Sequence, residues 1–185
     1  MTTLIHLLDR IANWKSLVLL LIFYVSFPAY WLKNAEANIN QLAGKPVGVI
    51  DLTIGFNPAR TLRMVADYGP AARDFYARTE LTLDLVYPLV YSFLLAVILT
   101  LLFRHKPYRP SRWVTLLPFA SGLFDYLENG TIVGLLTTYP AQSPVLAVLC
   151  EVAKLAKWLS FGLVIILIGY GLFRLLMSRM QTSLS

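Results

Sequence analysis

Charge is scarce in this chain, and so are the side chains that carry most redox and metal chemistry. Asp, Glu, Lys and Arg make up 14% of its 185 residues against 57% hydrophobic ones, whereas soluble domains carry about a quarter charged residues. With a mean hydropathy of +0.64, this composition excludes an ordinary soluble fold and points to an integral membrane protein. A single cysteine, Cys150, excludes an internal disulfide, and without a C-x-x-C pair dithiol chemistry is excluded too; the thiol is read as packing. The two histidines, His6 and His105, lie near predicted helix ends and supply too few ligands for a haem or a histidine-rich metal site in the membrane. Neither a P-loop nor G-x-G-x-x-G nor G-x-S-x-G is present. The reading therefore assigns no cofactor and no metal.

What is present are long apolar runs, at 16–32, 81–103, 113–137 and 145–173. They predict an all-α integral membrane protein, a four-transmembrane-helix bundle forming a single membrane domain over 1–185, with a structured outer loop over 33–80, about 45–50 residues, between helices 1 and 2. Basic residues sort around these spans. Arg10 and Lys15 precede the first, Arg104, Lys106, Arg109 and Arg112 fill the second loop, and Arg174 and Arg179 follow the fourth. By the positive-inside rule both termini face the cytoplasm, which places the chain as a multi-pass protein of an inner (plasma) membrane. The net charge of +6 is this same sorting signal, so no nucleic-acid partner is expected. A cleaved signal peptide ending at Ala35-Glu36-Ala37 is the alternative for the first span. Its 17-residue apolar run, closed by Tyr30 and Trp31 as interfacial anchors, favours an uncleaved helix.

Within the outer loop, Val47 to Phe56 is rich in β-branched residues and reads as extended. Asn57-Pro58 supplies an N-cap with proline at the first helical position, giving a short helix to about Asp67 that ends at Tyr68-Gly69-Pro70. From there the composition predicts an unbroken helix into the second span, with a kink at Pro88.

The third span raises the functional question, because it carries Asp125, Glu128 and Asn129 at bilayer depth, where carboxylates are costly. Asp125, Glu128 and Asn129 share one helix face, as do Asp84, Tyr87 and Tyr91, and as do Glu151, Lys154 and Lys157. Measured from the basic ends at about 1.5 Å per residue, Asp125 and Tyr91 share one level, Glu128, Tyr87 and Lys157 the next, and Asp84, Glu151 and Lys154 the outermost. Three polar stripes at matching heights are expected to close on one another, pairing Glu128 with Lys157 and Glu151 with Lys154. Asp84 is expected within reach of Arg73 or Arg78, and Asp125 to have only tyrosine hydroxyls and Asn129 at its level.

These nine residues, Asp84, Tyr87, Tyr91, Asp125, Glu128, Asn129, Glu151, Lys154 and Lys157, are the candidate ligand-binding set. The function this implies is an outward-facing polar cavity that binds a small cation, an amine or a lipid, roofed by the outer-loop helix with Arg60 and Arg63 and by Phe56, Tyr68, Phe75 and Tyr76. A role as accessory subunit of a membrane assembly is a further expectation, with membrane lipids, a homo-oligomer or a membrane protein as partners. The alternative is an intramembrane enzyme using Asp125 and Glu128 as an acid–base pair on a lipid-soluble substrate. The plainest reading is a salt-bridge network that only sets helix register.

Overall fold

The computed structural model describes residues 2–104 and 110–183; His105, Lys106 and Arg109, part of the basic second loop, lie outside the described residues. Among those described, every regular element is helical: α1 (Thr2–Ile11), α2 (Trp14–Ser26), α3 (Leu32–Ala43), α4 (Pro58–Asp67), α5 (Gly69–Glu80), α6 (Leu83–Phe103), α7 (Leu117–Thr137) and α8 (Pro144–Ser183), with a π-helical turn at Phe27–Trp31 and a 3-10 turn at Arg112–Leu116. Three helical stretches are long and apolar enough to cross a membrane, Trp14–Ala43, Pro144–Ser178 and Gly69–Phe103 taken across its short internal turn. The expected third span, α7, is not one of them, because Asp125, Glu128, Asn129 and the flanking small polar residues dilute its apolar character.

Local chemistry sets the element boundaries. Asn13 caps α2, its Oδ1 accepting from the N–H groups of Lys15 and Ser16. Pro28 enters the next turn without an N–H, and the helix widens there into the π turn before resuming as α3. The first apolar element thus runs well past residue 32, until Gly44 ends it in the left-handed conformation at φ 69°. Asn57 caps α4 by accepting from the Arg60 N–H at 3.0 Å, with Pro58 as its first residue.

Two expectations for the outer loop are corrected. The Val47–Phe56 segment forms no strand: Gly48 and Gly55 sit at φ 67° and 90°, and with no partner strand its backbone is held by side chains instead. Asn40 Oδ1 accepts from the N–H groups of Val47 and Gly48, the Tyr68 hydroxyl donates to Gly48 O, and the Tyr76 hydroxyl accepts from the Ile50 N–H while donating to Asp51. Burial pushes the Tyr68 phenol well above its ordinary range, so it remains a donor. The unbroken helix into the second span is interrupted at Leu81 and Thr82. There the Thr82 hydroxyl takes the Arg78 carbonyl, at 2.7 Å, that its own N–H would take in a continuing helix, and that N–H turns to Thr79 O.

α7 runs antiparallel to both α6 and α8. Along α6 its residues 118, 125 and 129 meet 92, 91 and 84, and along α8 its residues 121 and 125 meet 160 and 157. Close approach needs small residues: a Cβ on Gly122 would lie 2.5 Å from Ser92 Oγ, and one on Gly171 3.1 Å from the Phe103 ring. α2 packs on α6, while α3 and α5 cover the outer half of the cluster and α4 lies on α8. Outward-pointing residues are apolar on α2 (Leu19, Ile22), α6 (Leu85, Leu89), α7 (Leu123, Leu127) and α8 (Leu159, Ile166), a surface that suits lipid.

Pro88, buried inside α6, explains two of the polar residues on α7. Proline cannot donate to the carbonyl four residues back, so Asp84 O loses its helical partner. Asn129 Nδ2 donates to that carbonyl at 3.0 Å, and in the same turn the Tyr126 hydroxyl donates to Leu85 O at 2.8 Å. Carbonyls opened in a membrane helix must be satisfied by a neighbouring side chain or by water, and here α7 supplies the donors. Asn129→Leu is therefore expected to lower unfolding stability by about 1 kcal/mol, measured by denaturant or thermal unfolding in lipid micelles. In a Pro88→Ala background, where residue 88 donates its own N–H, the same substitution is expected to cost much less; an equal cost in both backgrounds contradicts the assignment.

Candidate functional site

The nine candidate residues separate into two clusters and a wall. At the deeper level, Lys157 of α8 stands opposite a pair of acids one turn apart on α7. Its Nζ lies 3.2 Å from Asp125 Oδ1 and forms an ion pair with Glu128 Oε2, and the Tyr91 hydroxyl of α6 donates to Asp125 Oδ2 at 2.8 Å. The expectation that Asp125 meets only tyrosines and Asn129 is thus corrected: Lys157, on a long and flexible stem, reaches both carboxylates. One lysine compensates two acids in a site where its side chain is only 11% exposed and that of Glu128 not at all.

Nearer the outer loop, Lys154 Nζ bonds Glu151 Oε1 at 2.7 Å and Thr53 Oγ1 at 2.6 Å. Glu151 also accepts from the Thr61 hydroxyl at 2.6 Å and the Asn57 N–H at 3.0 Å. This cluster is charge-balanced and saturated, and every partner beyond α8 belongs to the loop or to α4. It clamps the loop to the bundle.

Between α2, α3, α6, α8 and the Val49–Leu52 turn lies a cavity of about 450 Å³. Of the candidate set, Asp84, Tyr87, Tyr91, Asp125 and Lys157 line it, whereas Glu128, Asn129, Glu151 and Lys154 do not. Sequence reasoning missed three important wall residues: Tyr24, Glu36 and Asp51. Asp51 sits in a segment read as extended, and Glu36 and Tyr24 lie on a first helix whose polar face was not aligned with the others. Four carboxylates (Glu36, Asp51, Asp84, Asp125) thus face two ammonium groups (Lys33, Lys157), and Glu128 already engages Lys157. Aromatic rings form a continuous wall, from Tyr24 stacked on Tyr87 at 5.8 Å, through Tyr87 to Tyr91 at 5.5 Å and Tyr91 to Phe161 at 6.0 Å.

Neither arginine expected near Asp84 serves it. Arg73 donates to Val65 O and lies over the Tyr139 ring, and Arg78 pairs with Asp74 at 3.0 Å. The carboxylate of Asp84 has no hydrogen-bonding partner among the described residues, so it is free toward the cavity. The expected roof also differs: Arg60, Arg63, Phe56 and Phe75 are not in the cavity wall, Tyr68 is fully buried in the core that the loop shares with α7 and α8, and Tyr76 alone of that group faces the cavity. Behind the wall, Glu80 ends α5 almost fully buried, with no hydrogen-bond partner for either oxygen among the described residues and with Asp51, Asp84, Glu128 and Asp125 near enough to act on it electrostatically. Among the described residues no group of three or more His, Cys, Asp or Glu side chains is arranged to hold a metal ion.

Compared with known protein families, with curated proteins and with solved structures, the chain matches none of them.

Removing Lys157 leaves two carboxylates without their cation, so Lys157→Met is expected to cost about 3–5 kcal/mol of unfolding stability. Adding Glu128→Gln and Asp125→Asn to Lys157→Met is expected to restore most of that loss, because the uncompensated charges go with it. Unfolding in lipid micelles measures both; a triple variant as unstable as the single one contradicts the charge argument.

Proposed function

We propose that this chain is a four-span membrane protein whose cavity binds a small organic ammonium ion, with access from the outer side of the membrane. One observation carries the reading: a cavity of ligand size whose carboxylates outnumber its lysines and whose remaining wall combines aromatic rings with aliphatic side chains. Its volume of about 450 Å³ lies within the range of small-molecule sites. Carboxylates supply the countercharge, tyrosine hydroxyls supply acceptors, and ring faces attract a cation by their quadrupole, an arrangement suited to an amine and unsuited to an anion. Asp84, which forms no ion pair among the described residues, is the primary counter-ion in this reading. Asp125 is the second, held in place by Tyr91 and Lys157.

The outward orientation rests on the sorting of basic residues about the spans, with the loop of α3 to α5 covering the outer mouth and α7 as the fourth span, sheltered between α6 and α8 so that its carboxylates meet protein partners. Location in an inner or plasma membrane, and assembly with a second copy or a membrane partner, belong to the same proposal. The acid–base enzyme has less support, because Glu128 is tied to Lys157 behind the wall and only Asp125 of the pair reaches the cavity.

Trp158 lines the cavity and reports on it. Titration of the purified protein with n-butylammonium is expected to shift tryptophan emission and raise the melting temperature, while n-butanol and butyrate do neither. Asp84→Asn is expected to weaken the ammonium ion by about tenfold or more. Equal responses to the amine, the alcohol and the carboxylate contradict the proposal.

A further inference from the structure

We infer that the occupant is a zwitterionic phospholipid with an ammonium headgroup, entering sideways between α2 and α8; the inference rests on the ammonium-binding reading above. The cavity has walls on both helices, with Tyr24 on α2 and Pro28 in the π turn facing Trp158 and Phe161 on α8. Yet α2 packs on α6 and makes no extended contact with α8, so the two walls are not sealed against each other. In a bilayer this opening faces acyl chains. Within one helical turn of the cavity-lining Tyr24 and Trp158, Leu21 and Val25 on α2 and Leu155 and Leu159 on α8 are exposed and apolar.

The polar groups inside supply a partner for each charged part of such a headgroup. Lys33 lines the cavity just beyond Trp31, at the level where an interfacial aromatic residue marks the headgroup zone, and among the described residues it makes no ion pair. It is the one cavity lysine left for a phosphate, since Lys157 is engaged by Asp125 and Glu128. The free carboxylate of Asp84, with Asp51 beside the Tyr76 hydroxyl, then receives the ammonium end. A wholly water-soluble amine would leave both these exposed apolar side chains and Lys33 unused. A lipid uses all three features, with the headgroup in the charged cavity, the phosphate at Lys33 and the tails against the exposed faces of α2 and α8.

The test compares three probes on the full chain in mixed micelles: dioleoylphosphatidylethanolamine, dioleoylphosphatidylglycerol with the same tails, and phosphoethanolamine as the free headgroup. Retention by native mass spectrometry and the shift in melting temperature are the readouts. Phosphatidylethanolamine is expected to be retained and stabilising, phosphatidylglycerol not, and the free headgroup to bind at least about tenfold more weakly than the lipid. Lys33→Gln and Asp84→Asn are each expected to reduce retention of phosphatidylethanolamine. A free headgroup binding as tightly as the lipid, or equal retention of phosphatidylglycerol, overturns the lipid inference while leaving ammonium binding intact. Failure of n-butylammonium as well as the lipid overturns both.

Discussion

Everything at the centre of this molecule depends on how buried charge is compensated where water is absent. A buried carboxylate is tolerable only when paired, and α7 carries two of them within one turn. Lys157 answers both at once, reaching from α8 to Asp125 and Glu128 while Tyr91 of α6 holds the far oxygen of Asp125. Three helices are thereby fixed in height and rotation by one group of four side chains. Such a group adds little net stability, because desolvation offsets attraction, but it penalises every other register by leaving charge unpaired.

Backbone satisfaction imposes the second constraint, and it accounts for polar residues that first resemble a reaction centre. Asn129 and Tyr126 lie on α7 beside the acids, but their donors serve the carbonyls of Asp84 and Leu85 around Pro88. Glu151 and Lys154 similarly anchor the outer loop through Thr53, Asn57 and Thr61. Once these structural duties are subtracted, the cavity groups remain: Asp84, whose carboxylate has no partner among the described residues, Asp51 and Glu36 from the loop side, and a run of stacked and edge-on rings. The candidate binding groups are thus the ones that face the cavity and carry neither the helix register nor the attachment of the loop.

The cavity also shows why the loop is structured. Asp51 and Tyr76 reach the wall only because Asn40, Tyr68 and Tyr76 hold the Val47–Phe56 turns in place. α3, continuing the first apolar helix beyond the π turn, contributes Lys33 and Glu36 to the same space. An outer loop that was merely solvated would leave the cavity open and without half of its carboxylates.

The sequence by itself determined the helical character of the chain with stretches long and apolar enough to cross a membrane, the Asn57-Pro58 start of α4, and the pairing of Glu128 with Lys157 and of Glu151 with Lys154. Each of these is a matter of composition, capping chemistry, or helical period combined with depth, all of which are local or one-dimensional. Composition likewise marks α7 as the polar helix, whose hydropathy falls below that of the three long apolar stretches. Only the tertiary structure decided that Lys157 serves two acids, that Asn129 completes a proline-broken turn, that Arg73 and Arg78 turn away from Asp84, and that Glu36, Asp51 and Tyr24 join the cavity. Those outcomes depend on which long side chain reaches across a helix interface, and on where an irregular loop without period or strand partner is held, and neither is encoded in spacing along one chain.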